Sequence, residues 1–148
     1  MQSNLAYPEK EKVLAYIIRR VGGISELLVF TQVAFPEAGT QVPAGTIEKD
    51  ENRLDAVIRE VREESGLDKF KAIHFLGSTT YIAKSKAEIH NRHFYQLDYE
   101  GESSDKFEHE VGGKGLDAQM VFSFEWVDIE NLPRLIADQG DYISKINL

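Results

Sequence analysis

The sequence predicts a mixed α/β (α+β) domain in which strands lie both before and after one central helix. The apolar residues follow strand-like runs at first, change to helical spacing over residues 52–65, and then return to strand-like runs. This order differs from the regular β–α alternation of a doubly wound fold. The 148 residues, 42% of them apolar and 28% charged, suit one domain with a hydrophobic core. We find no internal repeat or linker and expect residues 1–148 to form a single domain.

Two strands are predicted before the helix. Residues 12–21 and 26–33 are rich in β-branched and aromatic side chains, and Gly22 and Gly23 between them favour a tight turn. The two segments should therefore pair as a hairpin. Residues 35–45 contain two prolines together with glycines and other small residues, so this stretch is expected to be mostly loop.

Apolar residues at helical spacing predict an α-helix over residues 52–65. The apolar stripe consists of Leu54, Val57, Ile58 and Val61. Asp50 and Glu51 precede the helix, where acidic side chains suit its unpaired N–H groups. Gly66 follows the last turn and is a common stop signal. The stripe should face the core.

Three further strands are expected after the helix, over residues 70–83, 90–99 and 120–127. Residues 103–117, which contain the sequence GGKG, are polar and predict a loop. GGKG lacks the glycine spacing and the Ser or Thr of a Walker-type phosphate loop, so it does not indicate one. Residues 129–138 predict a second helix, which residues 142–146 extend or follow.

The composition excludes several classes of protein. A formal net charge of −8 repels the phosphate backbone of long nucleic acids, so we do not expect DNA or RNA to be the ligand. No stretch approaches the roughly 18–20 apolar residues that span a membrane. The absence of cysteine excludes disulfides, thiolate metal ligands and a cysteine nucleophile, and it agrees with a cytoplasmic protein. Monomeric and homodimeric states both stay open.

Three carboxylates gather on the arc of the predicted helix opposite the apolar stripe, namely those of Glu60, Glu63 and Glu64. Like charges at this spacing repel each other on a helix. A solvated helix face is one interpretation, because mixtures of Glu and Arg are common there. The other is a site for a hard divalent cation such as Mg²⁺, which binds carboxylate oxygens and keeps positions for water and phosphate. In either case we expect the three side chains to face away from the core.

The wider pattern from Gly45 to Leu67 resembles the Nudix box, G-x5-E-x7-R-E-U-x-E-E-x-G-U, in which U is a bulky aliphatic residue. Every specified position is filled, by Gly45, Glu51, Arg59, Glu60, Val61, Glu63, Glu64, Gly66 and Leu67. The resemblance implies the fold of that family, an α/β/α sandwich with a mixed β-sheet in which the box helix supplies the metal site. In length and layout the likeness covers essentially the whole chain, although only the box is highly specific.

The resemblance also implies an activity. Nudix proteins typically use Mg²⁺ or Mn²⁺ and a water molecule to hydrolyse the diphosphate linkage between a nucleoside and another moiety. A small nucleoside diphosphate derivative is therefore the expected partner, such as an oxidised or ordinary nucleoside triphosphate or a dinucleoside polyphosphate. The alternative is a Nudix-fold module that binds a nucleotide, or responds to it, without cleaving it. Since every box carboxylate is present, we expect a hydrolase.

Positions in the box imply roles for individual residues. Glu60, Glu63 and Glu64 are the expected metal ligands, with the carbonyl of Gly45 as a further ligand. Glu60 or Glu64 is also expected to position or deprotonate the attacking water. Arg59 resembles the box arginine that orients a neighbouring glutamate, and we count it with the catalytic residues for that reason.

Candidates outside the box are less specific. Family members often add a carboxylate from a loop, which Glu108 or Glu110 would supply here. We prefer Glu108, because Phe107 beside it can anchor that part of the loop, although a merely solvated glutamate explains either as well. Arg92 is a candidate to bind a phosphate or carboxylate through a bidentate contact, against the alternative of a solvated strand edge. Phe35 and Tyr81 are candidates to stack on a base, against the alternative of core packing.

Overall fold

The computed structural model of the chain describes residues 7–115 and 117–148. These residues form seven β-strands and one α-helix. The strands are β1 (Glu9–Val21), β2 (Ile24–Gln32), β3 (Ala44–Thr46), β4 (Phe70–Ala83), β5 (Glu88–Tyr99), β6 (Lys106–Glu110) and β7 (Val121–Asp128). The helix α1 spans Arg53–Ser65. Across the described ranges, no helix combines the length and the apolar character needed to cross a membrane.

The strands belong to one mixed sheet. Their order is β4–β5–β1–β2–β7–β6, and β3 pairs with β1 beside that path. β1 and β5 run parallel, whereas the other pairs are antiparallel. One edge of β1 is shared, because residues 12–14 pair with β3 and residues 18–21 pair with β2. The mixed sheet with the box helix packed on it confirms the fold class that the sequence predicts.

Helix α1 begins and ends within one residue of its predicted range. Asn52 caps the first turn, since its Oδ1 accepts a hydrogen bond from the N–H of Asp55 at 2.8 Å. Gly66 ends the helix in the left-handed region, with a φ of 78°, and its N–H donates to the carbonyl of Arg62. A side chain at this position would strain the backbone, which explains the glycine.

The face that α1 buries is shifted from the one that the helical wheel predicts. Val57 and Val61 are buried, whereas Leu54 is 47% exposed. The buried side extends instead to Ala56 and Glu64, because the flank of the helix packs against β3 as well as the sheet. The expectation that all three box carboxylates face away from the packed side is therefore wrong for Glu64, which is only 4% exposed.

Each face of the sheet carries its own hydrophobic cluster. The cluster under α1 includes Val13, Ala15, Ile17, Leu28, Phe30, Leu97, Phe122, Phe124 and Trp126. The cluster on the other face includes Leu14, Tyr16, Ile18, Leu27, Val29, Phe94 and Leu135. Alternate residues of the strands supply the two clusters, as the period of two in a β-strand requires. The C-terminal segment covers the second face and so completes three layers.

The helix predicted over residues 129–138 does not form, and that prediction is wrong. Within residues 129–138 the structure contains one 3₁₀ turn, at Ile129–Asn131, in place of an α-helix. Pro133 has no N–H to donate within a helix, and Ala137 and Asp138 have left-handed backbone with φ of 51° and 57°. The outer layer on this face therefore consists of turns, where an α/β/α sandwich would have a helix.

A strand, β6, forms inside the stretch of residues 103–117 that the sequence predicts to be a loop. It pairs with β7 from Lys106 to Glu110. Phe107 packs on the hydrophobic cluster under α1, and His109 hydrogen-bonds to the helix. The alternate residues Lys106, Glu108 and Glu110 are exposed. This alternation is a strand signal, which the polar composition of KFEHE obscures in the sequence.

Candidate metal centre

Two carboxyl groups of α1 lie together against β3. Glu64 is buried, and its Oε1 accepts a hydrogen bond from the N–H of Ala44 at 3.2 Å. Glu60 lies one turn earlier on the same flank, and its charge is one cause of the raised pKa of Glu64. Two carboxylates so placed repel each other, which disfavours ionisation of both in the absence of a cation.

The surroundings of this pair favour the protonated form. Burial raises the pKa of Glu64 well above its ordinary value, and the charges of Glu60 and Asp117 raise it further. Burial also raises the pKa of Glu60, although Arg59 opposes that effect through a hydrogen bond and its charge. A divalent cation would reverse this balance, because its charge favours two ionised carboxylates side by side.

Gly45 allows β3 to approach the helix closely. A Cβ atom at this position would overlap the carboxyl group of Glu60. The carboxyl group of Glu60 lies between α1 and the backbone of β3, and there is no room for a side chain on β3 at this point. The first glycine of the box is therefore required. Any larger residue would push the carboxyl group out of the site.

The register of β3 decides which carbonyl faces the carboxyl groups. The pairs Glu11–Ile47 and Ala15–Pro43 are joined by backbone hydrogen bonds, and Gly45 lies opposite Val13 midway between them. Because hydrogen-bonded pairs recur at every second residue of an antiparallel ladder, the N–H and C=O of Gly45 face β1. Those of the preceding residue, Ala44, face away from β1, in agreement with its hydrogen bond to Glu64. The geometry thus points to the Ala44 carbonyl, not to the predicted Gly45 carbonyl.

Arg59 connects four parts of the box. Its Nε and Nη2 donate to the two carboxylate oxygens of Glu51 at 2.8 and 2.9 Å. Nη1 donates to Glu60 at 2.8 Å and to Glu63 at 3.3 Å, and Nη2 also donates to the Thr46 carbonyl at 3.1 Å. The bond to Glu51 is the main reason that the pKa of Arg59 is raised. Arg59 therefore contacts both Glu60 and Glu63 from a position fixed by its two hydrogen bonds to Glu51.

The donor set fits a hard divalent cation. Glu60, Glu63 and Glu64 offer carboxylate oxygens, and Ala44 offers a carbonyl oxygen beside them, which is the chemistry that Mg²⁺ and Mn²⁺ prefer. In the described ranges, no three acidic or histidine side chains already converge as a metal site. Arg59 instead occupies the space between Glu60 and Glu63. Binding a cation would require these carboxylates to turn away from the guanidinium.

Strand β6 and the residues after it hold the C-terminal end of α1. The Nδ1–H of His109 donates to the carbonyl of Glu64 at 3.0 Å, and the N–H of Gly112 donates to the carbonyl of Glu63 at 2.9 Å. A Cβ atom at Gly113 would meet the carboxyl group of Glu63. The GGKG segment thus lies beside the candidate metal centre, although its sequence is not that of a phosphate loop.

The structure does not bring the predicted loop carboxylates to this centre. Glu108 and Glu110 alternate with Phe107 and His109 along β6, and it is the latter two that face α1. Both glutamates are exposed on the opposite face of the sheet. The physical reason is the strand itself, because a period of two sends neighbouring side chains to different faces.

A different acidic residue of the same stretch lies close to the box. Asp117 is exposed, and its charge is one cause of the raised pKa of Glu64. The sequence offers little signal for it beyond its charge and its place in the polar stretch. After Glu110 the chain returns towards α1, where the N–H of Gly112 bonds to the carbonyl of Glu63. This return, which the sequence does not indicate, is what brings the charge of Asp117 to act on Glu64.

The predicted substrate-binding residues lie apart from the box carboxylates. Arg92 is buried on the face of the sheet opposite α1, where its guanidinium stacks on the ring of Tyr81 at 3.9 Å from the ring centroid. A solvated strand edge is therefore not the setting of Arg92. Phe35 is half exposed in the segment after β2 and stacks on no aromatic ring of the described residues. Arg92 and Tyr81 thus form a pair, and Phe35 is not part of it.

The sequence matches the family model of the NUDIX domain over residues 9–146. No curated protein matches the chain. Among solved structures, the chain is similar to a MutT NUDIX hydrolase from Burkholderia pseudomallei, with a TM-score of 0.70 and 21% identity over 94% of this chain and 98% of that one.

Two further solved structures share the fold. The NUDIX domain of Shewanella oneidensis NrtR, complexed with ADP ribose, has a TM-score of 0.69 and 15% identity over 95% of this chain and 88% of that one. An Ap4A hydrolase of C. elegans has a TM-score of 0.66 and 18% identity over 92% of this chain and 93% of that one. At these identities the likeness concerns the fold alone.

Proposed function

Because this chain belongs to the NUDIX family, we propose that it is a divalent-metal-dependent hydrolase that cleaves the diphosphate linkage of a nucleoside diphosphate derivative. The observation that supports the proposal most directly is the carboxyl group of Glu64, which is buried against β3 next to the half-buried carboxyl group of Glu60 and forms no salt bridge among the described residues. A structural helix face has no need of such a pair, whereas a cation that carries a diphosphate would stabilise it.

Glu60, Glu63 and Glu64 are the proposed metal ligands, with the Ala44 carbonyl as the backbone ligand in place of the Gly45 carbonyl. Bound Mg²⁺ or Mn²⁺ would neutralise the diphosphate and lower the pKa of a coordinated water. Arg59 keeps Glu60 and Glu63 on the correct side of the helix, since its own position is set by two hydrogen bonds to Glu51.

Glu60 and Glu64 are the proposed groups that orient the attacking water and accept its proton. Both lie on the flank of α1 that faces β3, where their surroundings already favour a protonated carboxyl group. We propose Asp117 as the assisting loop carboxylate, because it acts electrostatically on Glu64 whereas Glu108 and Glu110 lie on the other face of the sheet.

The substrate class stays within nucleoside diphosphate derivatives, including nucleoside triphosphates and dinucleoside polyphosphates. The similar solved structures carry the names of a MutT hydrolase and an Ap4A hydrolase and include a complex with ADP ribose. These names suit compounds that share a phosphoanhydride attached to a nucleoside, and this shared chemistry is what the candidate metal centre recognises.

A substrate panel tests the proposal. Purified protein with Mg²⁺ is incubated with nucleoside triphosphates, including oxidised ones, dinucleoside polyphosphates, nucleotide sugars, ADP-ribose, NADH and coenzyme A, and the products are identified. We expect cleavage at a diphosphate bridge that falls at least about 100-fold in Glu60→Gln and in Glu64→Gln. Glu102→Gln, an exposed residue outside the box, is the matched control. Nucleotide binding without turnover across the whole panel would instead establish a non-catalytic binding module.

A further inference from the structure

Three polar side chains from three neighbouring strands are joined by hydrogen bonds on the face of the sheet that carries α1. Ser78 of β4 lies opposite His93 of β5, and Glu11 of β1 lies two residues before Val13, the residue opposite His93 on the other side. Val13 and Tyr95, which share this face, belong to the cluster under α1. Oγ of Ser78 lies 2.6 Å from Nδ1 of His93, and Nε2 of His93 lies 2.9 Å from Oε1 of Glu11.

The direction of these two hydrogen bonds follows from the donors present. An ionised Glu11 only accepts, so Nε2 of His93 carries the proton and donates it. Nδ1 of the same neutral ring then has a free lone pair and accepts from the hydroxyl of Ser78. Either ring nitrogen of a histidine can act as a base. His93 is therefore placed to take the proton of Ser78, as a general base does for a nucleophilic hydroxyl.

The carboxylate of Glu11 is kept ionised and is fixed in position. Hydrogen bonds from His93 and Asn91 lower the pKa of Glu11, and the charge of Arg53 of α1 lowers it further. Nδ2 of Asn91 donates to Oε2 of Glu11 at 2.7 Å and to Oε1 of Glu9 at 2.9 Å. Each carboxylate oxygen of Glu11 thus has its own donor, and the oxygen that faces His93 cannot turn away.

The register of the strands explains the short contact between Ser78 and His93. The N–H of Ile89 donates to the carbonyl of Pro8, which precedes β1. Because successive residues of a strand turn their backbone groups to opposite edges, the backbone groups of His93 also face β1. Ser78 and His93 are therefore a non-hydrogen-bonded pair, in which side chains lie closest, and the backbone groups of Ser78 face the outer edge of β4. The hydroxyl of Tyr142, which donates to the carbonyl of Ser78 at 2.7 Å, agrees with this direction.

The outer edge of β4 offers donors for a developing negative charge. β4 is the end strand of the sheet, so no strand of the described ranges pairs with this edge. By the same alternation, Ser78 and Thr80 both turn their N–H groups to it. The N–H of a nucleophilic serine is itself an effective donor to the oxyanion that forms on its substrate.

The hydroxyl of Ser78 is open to solvent, whereas the base behind it is shielded. Ser78 is exposed, and His93 is only 5% exposed. Phe75 precedes Ser78 on the same face of β4, because the pairing with β5 shifts by one residue between them. Its ring is packed on Tyr95 at 5.3 Å between centroids, yet Phe75 is 51% exposed. A reachable hydroxyl therefore lies beside a fixed base and an apolar surface.

We propose that Ser78, His93 and Glu11 form a second hydrolytic site, which cleaves carboxylic esters that carry an apolar group. Oγ of Ser78 bonds to the ester carbonyl carbon as its proton passes to Nδ1 of His93, and the alcohol leaves with that proton when the C–O bond breaks. Water then attacks the acylated serine, gives a proton to the same nitrogen and releases the carboxylic acid, and the proton returns to Ser78. Glu11 is a positioning residue, because it sets the tautomer of His93. The site acts independently of the candidate metal centre.

Reaction with an alkyl fluorophosphonate in EDTA tests the nucleophile while the metal centre is empty. We expect fluoride release and one phosphonyl group per protein, located on Ser78 by mass spectrometry. His93→Gln should slow this reaction at least about 100-fold, because the base is lost. Ser85→Ala removes an exposed serine in the turn after β4 and should react as the parent does. A merely structural network leaves Ser78 inert, so an unlabelled Ser78 in the parent protein overturns the proposal.

Hydrolysis of p-nitrophenyl butyrate in EDTA tests the activity itself. The parent protein and Ser85→Ala should release p-nitrophenol at the same rate, and Ser78→Ala should lose at least about 100-fold of that rate. Ser78 is an exposed residue, so the alanine variant should fold, which circular dichroism checks. A rate that Ser78→Ala leaves unchanged overturns the assignment of an esterase site.

Two substitutions of Glu11 distinguish positioning from structural support. In Glu11→Gln the new amide can donate to Nε2 of His93, which places the proton on Nδ1 and removes the acceptor for Ser78. Labelling of Ser78 should then slow at least about tenfold. Glu11→Asp keeps an accepting carboxylate and should recover most of the parent rate. Equal labelling rates in the two variants would overturn the role of Glu11.

Discussion

The N–H of Ala44 donates to Oε1 of Glu64 at 3.2 Å and thereby holds a buried carboxyl group of α1 against the strand β3. This contact joins the first part of the box, which is extended, to its last helical turn. A single backbone N–H is a weak partner for a buried charge, so burial raises the pKa of Glu64 and favours the protonated carboxyl group in the absence of a cation.

The stability of the metal-free protein should depend on the ionisation of Glu64. Because burial raises its folded-state pKa above the unfolded value, Glu64 contributes stability that is present at low pH and lost as the pH rises through the folded-state pKa. In EDTA, Glu64→Gln should therefore be more stable than the parent at pH 8, with a smaller difference at pH 5. Thermal unfolding followed by circular dichroism across this range measures the effect. A constant difference between the two proteins from pH 5 to pH 8 would show that Glu64 is not responsible.

Gly45→Ala should disable the candidate metal centre. The added Cβ overlaps the carboxyl group of Glu60, and such overpacking typically costs about 1–3 kcal/mol of stability. We expect turnover with Mg²⁺ to fall by a factor of about 100 or more, since Glu60 is displaced. Gly115→Ala is the control, because no described atom would lie within 4 Å of its Cβ. Wild-type turnover in Gly45→Ala would mean that Glu60 has room to move without loss of function.

Arg59→Lys should retain the charge and lose the geometry. Lysine cannot reproduce the two parallel hydrogen bonds to Glu51 while also reaching Glu60 and Glu63. We expect kcat to fall about 10- to 100-fold, a size typical of groups that orient metal ligands. Arg62→Lys makes the same substitution at an exposed position of α1 and should have little effect. Equal kinetics for Arg59→Lys and Arg62→Lys would remove the positioning role.

The assisting carboxylate should be Asp117. Asp117→Asn is expected to lower turnover or to raise the Mg²⁺ concentration required for half-maximal activity by about tenfold, because its charge acts on Glu64. Glu108→Gln and Glu110→Gln should behave like the parent, since both side chains are exposed on the opposite face of the sheet. Loss of activity in Glu108→Gln with an unaffected Asp117→Asn would restore Glu108 as the loop carboxylate.

Sequence patterns predict the elements of this fold where local signals are strong. The helix α1 has a cap, a stop glycine and a helical apolar period, and its predicted range agrees with the structure to one residue. The second predicted helix has apolar residues but also Pro133, and its residues 137 and 138 adopt left-handed backbone, so it forms turns instead. The strand β6 is missed because its alternation is short and its composition polar.

The candidate site, like the fold, is predictable from the sequence only in part. The types and spacing of the box residues predict a cluster of three carboxylates and the arginine that orients them. The burial of Glu64 is not predictable from the helical wheel, because it depends on β3 packing against the flank of α1. The register between β1 and β3 decides whether the carbonyl of Ala44 or that of Gly45 faces the carboxyl groups, and local sequence patterns do not predict this register.

The sequence by itself determined the family, the mixed α/β layout and the chemistry of the box, because these are properties of residue type and local spacing. Only the tertiary structure decided that Glu64 is buried against β3, that Glu108 and Glu110 lie on the face of the sheet away from α1, and that Arg92 is buried on that face. Residues far apart in the chain meet through strand pairing, and the face on which each side chain lies follows from register. A shift of one residue in a strand reverses that face, so local sequence signals cannot specify it.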